Sequence, residues 1–266
     1  MIFIILLVIF VFISAIVFFS NYPLTVRYEN LGGDIKIAHI SDLHKRKFGR
    51  ENSLLISRIS AEAPDIIIIS GDIVSRSETD FSVIISTLRH FRSIAPVYMC
   101  NGNHEQSMHE DKKKKFFDEL DKIGVVLLRN ASSTIEIKNR KFVIFGLEES
   151  YNIYKKNGSY RNLEKIDVNK LNSLLGKCPK DEVLLLAHNP FFGEAYSQWG
   201  ADYTFSGHVH GGAVRIFGVG ILSPERKFFP RCSKGVYTYC KMKLLVSAGL
   251  GKLRLFNPPE IVIYNL

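Results

Sequence analysis

Residues 2–19 carry no charged side chain, and no Lys or Arg stands ahead of them. Cysteine is sparse, and Cys100, Cys178, Cys232 and Cys240 stand at neither zinc-finger nor CxxC spacing. A structural zinc module is therefore excluded, and the thiols read as buried or incidental; Cys232 and Cys240 would pair only if the domain lay outside the cell. The HxHxDH cluster of metallo-β-lactamase-type hydrolases is absent. There is no internal repeat, no low-complexity tract and no nucleic-acid recognition motif. The formal net charge of +9 thus points to other anionic surroundings, namely phosphate substrates, acidic lipid head groups or wall polymer. A generally basic surface with no special partner is the alternative.

What is present fits an anchor followed by one large domain. The chain has 266 residues, 46% apolar and 23% charged, an ordinary globular balance that supports a core without disulfides. Residues 2–19 are apolar except for Ser14. As a helix they span roughly 27–30 Å, the thickness of a bilayer core. Residues 1–20 are read as an uncleaved transmembrane anchor, 21–34 as a juxtamembrane segment and 35–266 as the catalytic domain. A cleavable signal peptide would need a basic start and a small-x-small site, and neither is found. Arg27 and Lys36 follow the span, so the positive-inside rule places the domain on the cytoplasmic face.

The domain repeats one pattern. Apolar residues 35–40 run into Ser41-Asp42-Leu43-His44, and 66–69 into Ser70-Gly71-Asp72. Residues 96–99 precede Gly102-Asn103-His104-Glu105. Residues 183–187 end at His188, and 202–205 at Ser206-Gly207-His208-Val209-His210. A sixth run, 141–145, leads to Glu148 and Glu149 and is assigned no ligand. Short apolar runs bounded by Gly, Pro or Asn predict strands buried on both faces. Residues 52–62 and 80–92 predict intervening helices, and 244–246 and 261–264 predict closing strands. Strand–helix alternation means an α/β fold, in which sites gather at the carboxyl ends of strands. One such histidine would more often be structural; five segments converging on the same chemistry argue for a site. The charged stretch 111–115 reads as the exposed start of a helix. His90 and His109 match no motif and read as surface residues. Lys45, Arg46, Lys47 and Arg50 are either substrate contacts or a solvated loop.

On these residues the chain resembles the calcineurin-like metallophosphoesterase superfamily, with every motif in order across residues 35–212. Its tail is similar to the YkuE/YaeI-type bacterial phosphoesterases, often membrane-anchored or exported and related to the chlamydial-type UDP-diacylglucosamine hydrolases. The matching segments are Gly211-Gly212-Ala213-Val214-Arg215, Phe228-Phe229-Pro230, Ser247-Ala248-Gly249-Leu250-Gly251 and Leu255-Phe256-Asn257-Pro258-Pro259-Glu260. Ala213 departs from that group, where Gln is expected, and bears on substrate contacts rather than metal binding.

The resemblance implies a four-layer α/β/β/α sandwich with two divalent metals. Asp42, His44, Asp72 and His210 would hold one ion; Asp72, Asn103, His188 and His208 would hold the other, with Asp72 bridging. His104 would serve the leaving group, with Glu105 orienting its ring. Mixed imidazole and oxygen donors suit Mn²⁺ first, then Fe²⁺ or Zn²⁺. Two such ions ~3.5–4 Å apart can share a hydroxide and clamp a phosphoryl group in line with it. The expected reaction is hydrolysis of a phosphodiester or pyrophosphate bond, in a lipid or envelope substrate. A phosphomonoesterase or protein phosphatase is the second reading, and a non-catalytic scaffold the third, disfavoured because every ligand is kept. No obligate protein partner is implied.

Overall fold

Four consecutive isoleucines, Ile66–Ile69, form a strand buried on both faces. Side chains alternate across a strand, so Ile66 and Ile68 enter one core while Ile67 and Ile69 enter another. The computed structural model describes residues 1–223, 228–252 and 254–266, apart from the Ile2 side chain. Within them the central strands share this two-sided burial.

Along the chain come β1 (Thr25–Asn30), β2 (Lys36–Ile40), β3 (Ile66–Ile69), β4 (Val97–Cys100), β5 (Val126–Leu128), β6 (Ala131–Ile137) and β7 (Arg140–Gly146). They are followed by β8 (Glu182–Leu186), β9 (Tyr203–Ser206), the short hairpin β10 (Arg215–Ile216) and β11 (Val219–Gly220), β12 (Gly235–Tyr239), β13 (Met242–Val246) and β14 (Glu260–Asn265). The helices are α1 (Ile2–Asn21), α2 (Ser53–Glu62), α3 (Ser82–Ile94), α4 (Asn103–Gln106), α5 (Glu110–Lys122), α6 (Val168–Leu175) and α7 (Gly193–Trp199).

One six-stranded sheet has the order β1-β14-β2-β3-β4-β5 and the other β12-β13-β9-β8-β7-β6. Ile37, Tyr98 and Val262 of the first meet Phe142, Leu184 and Phe205 of the second in a shared core. Leu55, Leu88, Phe91 and Phe116 of α2, α3 and α5 cover the first sheet. Leu171, Tyr196 and Trp199 of α6 and α7 cover the second. This is the four-layer sandwich that the resemblance implied. The strands β2, β3, β4 and β5 are parallel, as are β7, β8, β9 and β13. Each sheet therefore turns several carboxyl ends toward one edge, and the candidate residues follow those ends.

The edge strands β1, β5 and β6 lie outside the predicted set. β1 falls within residues 21–34 and pairs in parallel with β14, so this stretch is part of the sheet as well as the connection to α1. β6 pairs with β7 as an antiparallel edge. Phe3–Asn21 of α1 is long and apolar enough to cross a membrane, and most of its side chains are exposed. The four cysteines are unpaired; Cys232 Sγ lies 3.2 Å from Tyr239 Oη.

Candidate metal centre

The site is made by unusual backbone. Asp42, His44, Asp72, His208 and His210 all have φ between 53° and 68°. This left-handed region is uncommon for residues with a side chain, with Asp, Asn and His best tolerated there, and costs on the order of 1 kcal/mol each. The turns place the side chains just beyond β2, β3 and β9. Two glycines make room for the carboxylates. A Cβ on Gly102 would stand 2.3 Å from Asp72 Oδ1, and one on Gly207 would stand 2.4 Å from Asp42 Oδ2.

His188 lies where the two sheets meet. Its Nδ1 is 2.7 Å from the Ser70 carbonyl, which fixes the proton there and leaves the Nε2 lone pair facing the acids. That Nε2 is 3.4 Å from Asp72 Oδ2 and 3.9 Å from Asp42 Oδ1. His210 Nε2 is 3.8 Å from Asp42 Oδ1. His208 Nδ1 is 3.1 Å from Asn103 Oδ1. The rings of His44 and His210 are 5.4 Å apart, and those of His188 and His208 are 5.1 Å apart. Donor atoms converge in three overlapping groups: Asp42, His44 and His210; Asp42, Asp72 and His188; and His44, Asp72 and His104. Asp42, Asp72 and His44 each belong to two of them.

These residues fit divalent cations. The buried ring nitrogen His188 Nε2, which faces both acids, has no hydrogen-bond partner in the protein. A buried polar atom without a partner costs roughly 1–3 kcal/mol, and a metal bond removes that cost. Burial opposes ionising Asp42 and Asp72, but the surrounding imidazoles outweigh it and hold both below the usual carboxylate range. Burial likewise opposes charging His188, yet Asp72 and Asp42 raise its pKa to about 10, the mark of a site that favours positive charge.

His104 sits at the rim, with Nε2 3.9 Å from Asp72 Oδ2 and its ring 4.4 Å from that of His44. Its backbone N–H donates to Asp72 Oδ1 at 2.7 Å, which ties the start of α4 to the loop after β3. Desolvation lowers its pKa to about 4, so the ring is neutral at neutral pH. Arg76 N–H donates to Nδ1 at 3.3 Å, and Arg76 Nη2 lies 3.3 Å from Nε2; a neutral ring accepts only one of these.

Glu105 is placed otherwise than expected. It accepts backbone N–H bonds from Asp72 (2.9 Å), Val74 (3.1 Å) and Gly102 (2.8 Å). Its carboxylate braces the two ligand loops rather than orienting the His104 ring, with burial and then Asp72 pushing its pKa up to about 7. Sequence reasoning also left out one wall of the cleft. Arg76, Tyr151, Tyr154, Lys155 and Tyr160 line it together with His104 and His208. Tyr154 packs edge-on to His208, with centroids 4.7 Å apart, and donates to buried Glu149, which also accepts from Tyr196 at 2.8 Å. The signal was Glu149 itself, which follows β7 at the same sheet edge as the ligands.

With this geometry in place, similarity to known proteins is informative. The family profile of calcineurin-like phosphoesterases matches residues 35–212, well over half of the chain. The chain belongs to that family. Phosphodiesterase YaeI of Escherichia coli is 26% identical, covering 90% of this chain and 84% of its own length. An uncharacterised metallophosphoesterase of Campylobacter jejuni is 28% identical over 91% of this chain, which spans only 61% of that longer relative. UDP-2,3-diacylglucosamine pyrophosphatase LpxG of Chlamydia muridarum is 23% identical, covering 91% of this chain and 86% of its own. The chain is thus a metal-dependent phosphoester hydrolase of a family that uses a binuclear centre, and it carries His/Asp clusters of the kind such a centre needs.

Proposed function

We propose that this chain is a membrane-anchored, two-metal enzyme that cleaves a phosphodiester or pyrophosphate bond in a lipid or cell-envelope substrate. The observation that carries the reading is the overlap of donor groups at Asp42, Asp72 and His188. Carboxylates from two strands face one imidazole at 3.9 and 3.4 Å, and each also faces further histidines. Asp42, His44, Asp72 and His210 would hold one ion, and Asp72, Asn103, His188 and His208 the other. Mn²⁺ matches this mixture of imidazole, amide and carboxylate best, with Fe²⁺ or Zn²⁺ next. When bound, the pair supplies an activated water and offsets phosphoryl charge.

The chain's own residues do the rest. Neutral His104, with Nδ1 accepting from Arg76 N–H, keeps its proton on Nε2 and uses it to hydrogen-bond the leaving oxygen as charge develops there. Arg76 and Lys155 orient the anionic ester from the cleft wall. Tyr151, Tyr154 and Tyr160 offer a surface for a second ester substituent, which a monoester lacks. The names of YaeI, a phosphodiesterase, and LpxG, a pyrophosphatase, point the same way. α1 supports a membrane anchor, and Arg27 and Lys36 after it favour the cytoplasmic face.

The test is a purified full chain loaded with Mn²⁺. Elemental analysis is expected to give two equivalents, and bis-p-nitrophenyl phosphate should turn over faster than p-nitrophenyl phosphate. Fewer than two equivalents refutes the paired centre. A strong monoester preference replaces the diester reading with a phosphomonoesterase or protein phosphatase.

A further inference from the structure

Two arginines lie buried with no acidic partner. Arg46 is 8% exposed and Arg254 is 3% exposed. Arg46 Nη1 donates to the carbonyls of Leu250 and Gly251 at 3.2 and 2.6 Å. Arg254 donates to the carbonyls of Gly251, Ala248 and His210 at 2.8, 2.5 and 3.5 Å. Among the described residues neither forms an ion pair with a carboxylate. Carbonyl bonds satisfy the N–H groups and the Phe48 ring lies 4.6 Å from the Arg46 guanidinium, but among the described residues no carboxylate pairs with either charge, and buried charges are ordinarily paired. Burial lowers the Arg254 pKa to about 10, although Asp42 offsets part of this.

Both arginines line one cavity of about 920 Å³. Its apolar wall comes from Val17 and Tyr22 at the end of α1, Phe48 and Leu54 beside α2, and Val214 and Leu255. Lys45, Lys47 and Lys252 add three more cations, and among the described residues no acid lines it. Ala213 lines it too, so a glutamine there would fill part of the space. The α1 wall is held in place: Asn21 Nδ2 donates to the Arg254 carbonyl at 2.8 Å, Arg254 N–H to Asn21 Oδ1 at 3.1 Å, and Phe256 N–H to Ser20 Oγ at 2.8 Å. Because α1 is the apolar span, a cavity walled by its last turn lies at the membrane–water boundary. On the far side, Arg254 and Gly251 touch His210, so the cavity backs onto the metal centre.

We propose that this cavity binds one anionic phospholipid from the surrounding bilayer. The acyl chain lies along Val17, Phe48, Leu54 and Leu255. The phosphate sits among Arg46, Lys47 and Lys252, next to the catalytic cleft. The proposal rests on reading α1 as a membrane anchor, and not on the choice between diester and monoester. A soluble anion would use the cations but not the apolar wall; a zwitterionic lipid would use the wall but not the excess of cations.

The experiment is native mass spectrometry of the metal-loaded full chain in non-ionic detergent, with phosphatidylglycerol or phosphatidylcholine added at equal concentration. One phosphatidylglycerol per chain is expected, bound roughly tenfold more tightly than phosphatidylcholine, whose choline cation the cavity's cations repel. Leu54→Trp, which fills the cavity, and Lys252→Glu, on an exposed side chain, should each lower its retention about tenfold. Excess glycerol 3-phosphate should leave the lipid in place. Equal retention of the two lipids, unchanged retention in both variants, or displacement by glycerol 3-phosphate overturns the proposal. Metal content, read on the same samples, identifies a misfolded variant, and the wild-type comparison of lipids stands without either substitution. Lipid retention with fewer than two metals would instead remove only the two-metal reading.

Discussion

His104 and Asp72 stand 3.9 Å apart and are expected to fail differently when removed. Asp72 belongs to two donor groups, accepts the His104 backbone N–H and faces His188, so Asp72→Ala should lose metal and turnover together. His104→Ala should keep its metals and lose roughly 10²–10³ in turnover, the usual contribution of a hydrogen-bond donor aimed at developing charge. Elemental analysis beside bis-p-nitrophenyl phosphate kinetics checks both, and equal metal loss would show that His104 is a ligand. Glu105 shows where residue-scale reading from sequence stops. An acid following a histidine suggests a partner for the ring, yet its actual partners are three backbone N–H groups. Almost every residue carries such a donor, so nothing in the motif marks which ones it takes.

Strands that end in ligands were legible because a parallel strand buried on both faces is a short, unbroken apolar run, and the Gly, Asn or Asp after it marks the turn. β3 was read residue for residue, and β2, β4, β8 and β9 within a residue or two. β1, β5 and β6 were not: β5 is only three residues long, and β1 and β6 share one physical cause. Thr25–Asn30 and Ala131–Ile137 are edges with many exposed or half-exposed positions, so their sequences carry polar residues that read as connection. Their pairing comes from backbone alone. The tyrosine wall of the cleft was hidden similarly, since Tyr151, Tyr154 and Tyr160 follow no strand of metal-binding type. At this scale the turns make a sharp prediction. Gly102→Ala would drive a methyl to 2.3 Å from Asp72 Oδ1 and so displace the shared carboxylate. Overpacking costs about 1–3 kcal/mol, and ligand misplacement near 1 Å costs about 10² in rate. A folded Gly102→Ala protein with undiminished turnover would contradict the geometry.

Across the molecule, β1 and β14 are locked by charge as well as by pairing. Glu260, 1% exposed, accepts from Arg27 Nε at 3.3 Å and from the Ala248 N–H at 3.0 Å, and pairs with Lys234 Nζ at 2.5 Å. Burial opposes its ionisation, but Arg27 and Lys234 outweigh that and lower its pKa in the folded state. A depressed carboxylate stabilises the fold above the unfolded pKa, near 4.5, and the contribution fades as pH falls through the lower folded value. Denaturant unfolding followed by Trp199, the sole tryptophan, should therefore show stability dropping below about pH 4.5. Glu260→Gln should lose roughly 1–3 kcal/mol at pH 7, because two half-buried cations lose their shared carboxylate, and should flatten that acid branch. An unchanged acid branch would assign the pH response elsewhere.

The sheet order has a consequence for biogenesis. β14 is inserted between β1 and β2, and Thr25 bonds to Pro259, 234 positions away. At ordinary elongation rates, on the order of ten seconds or more separates the ribosomal exit of these two residues. Throughout that interval β1, directly behind the apolar helix α1, remains an unpaired edge. Nascent molecules of this enzyme should accordingly depend on a chaperone or insertase that shields Thr25–Asn30 until translation is nearly finished.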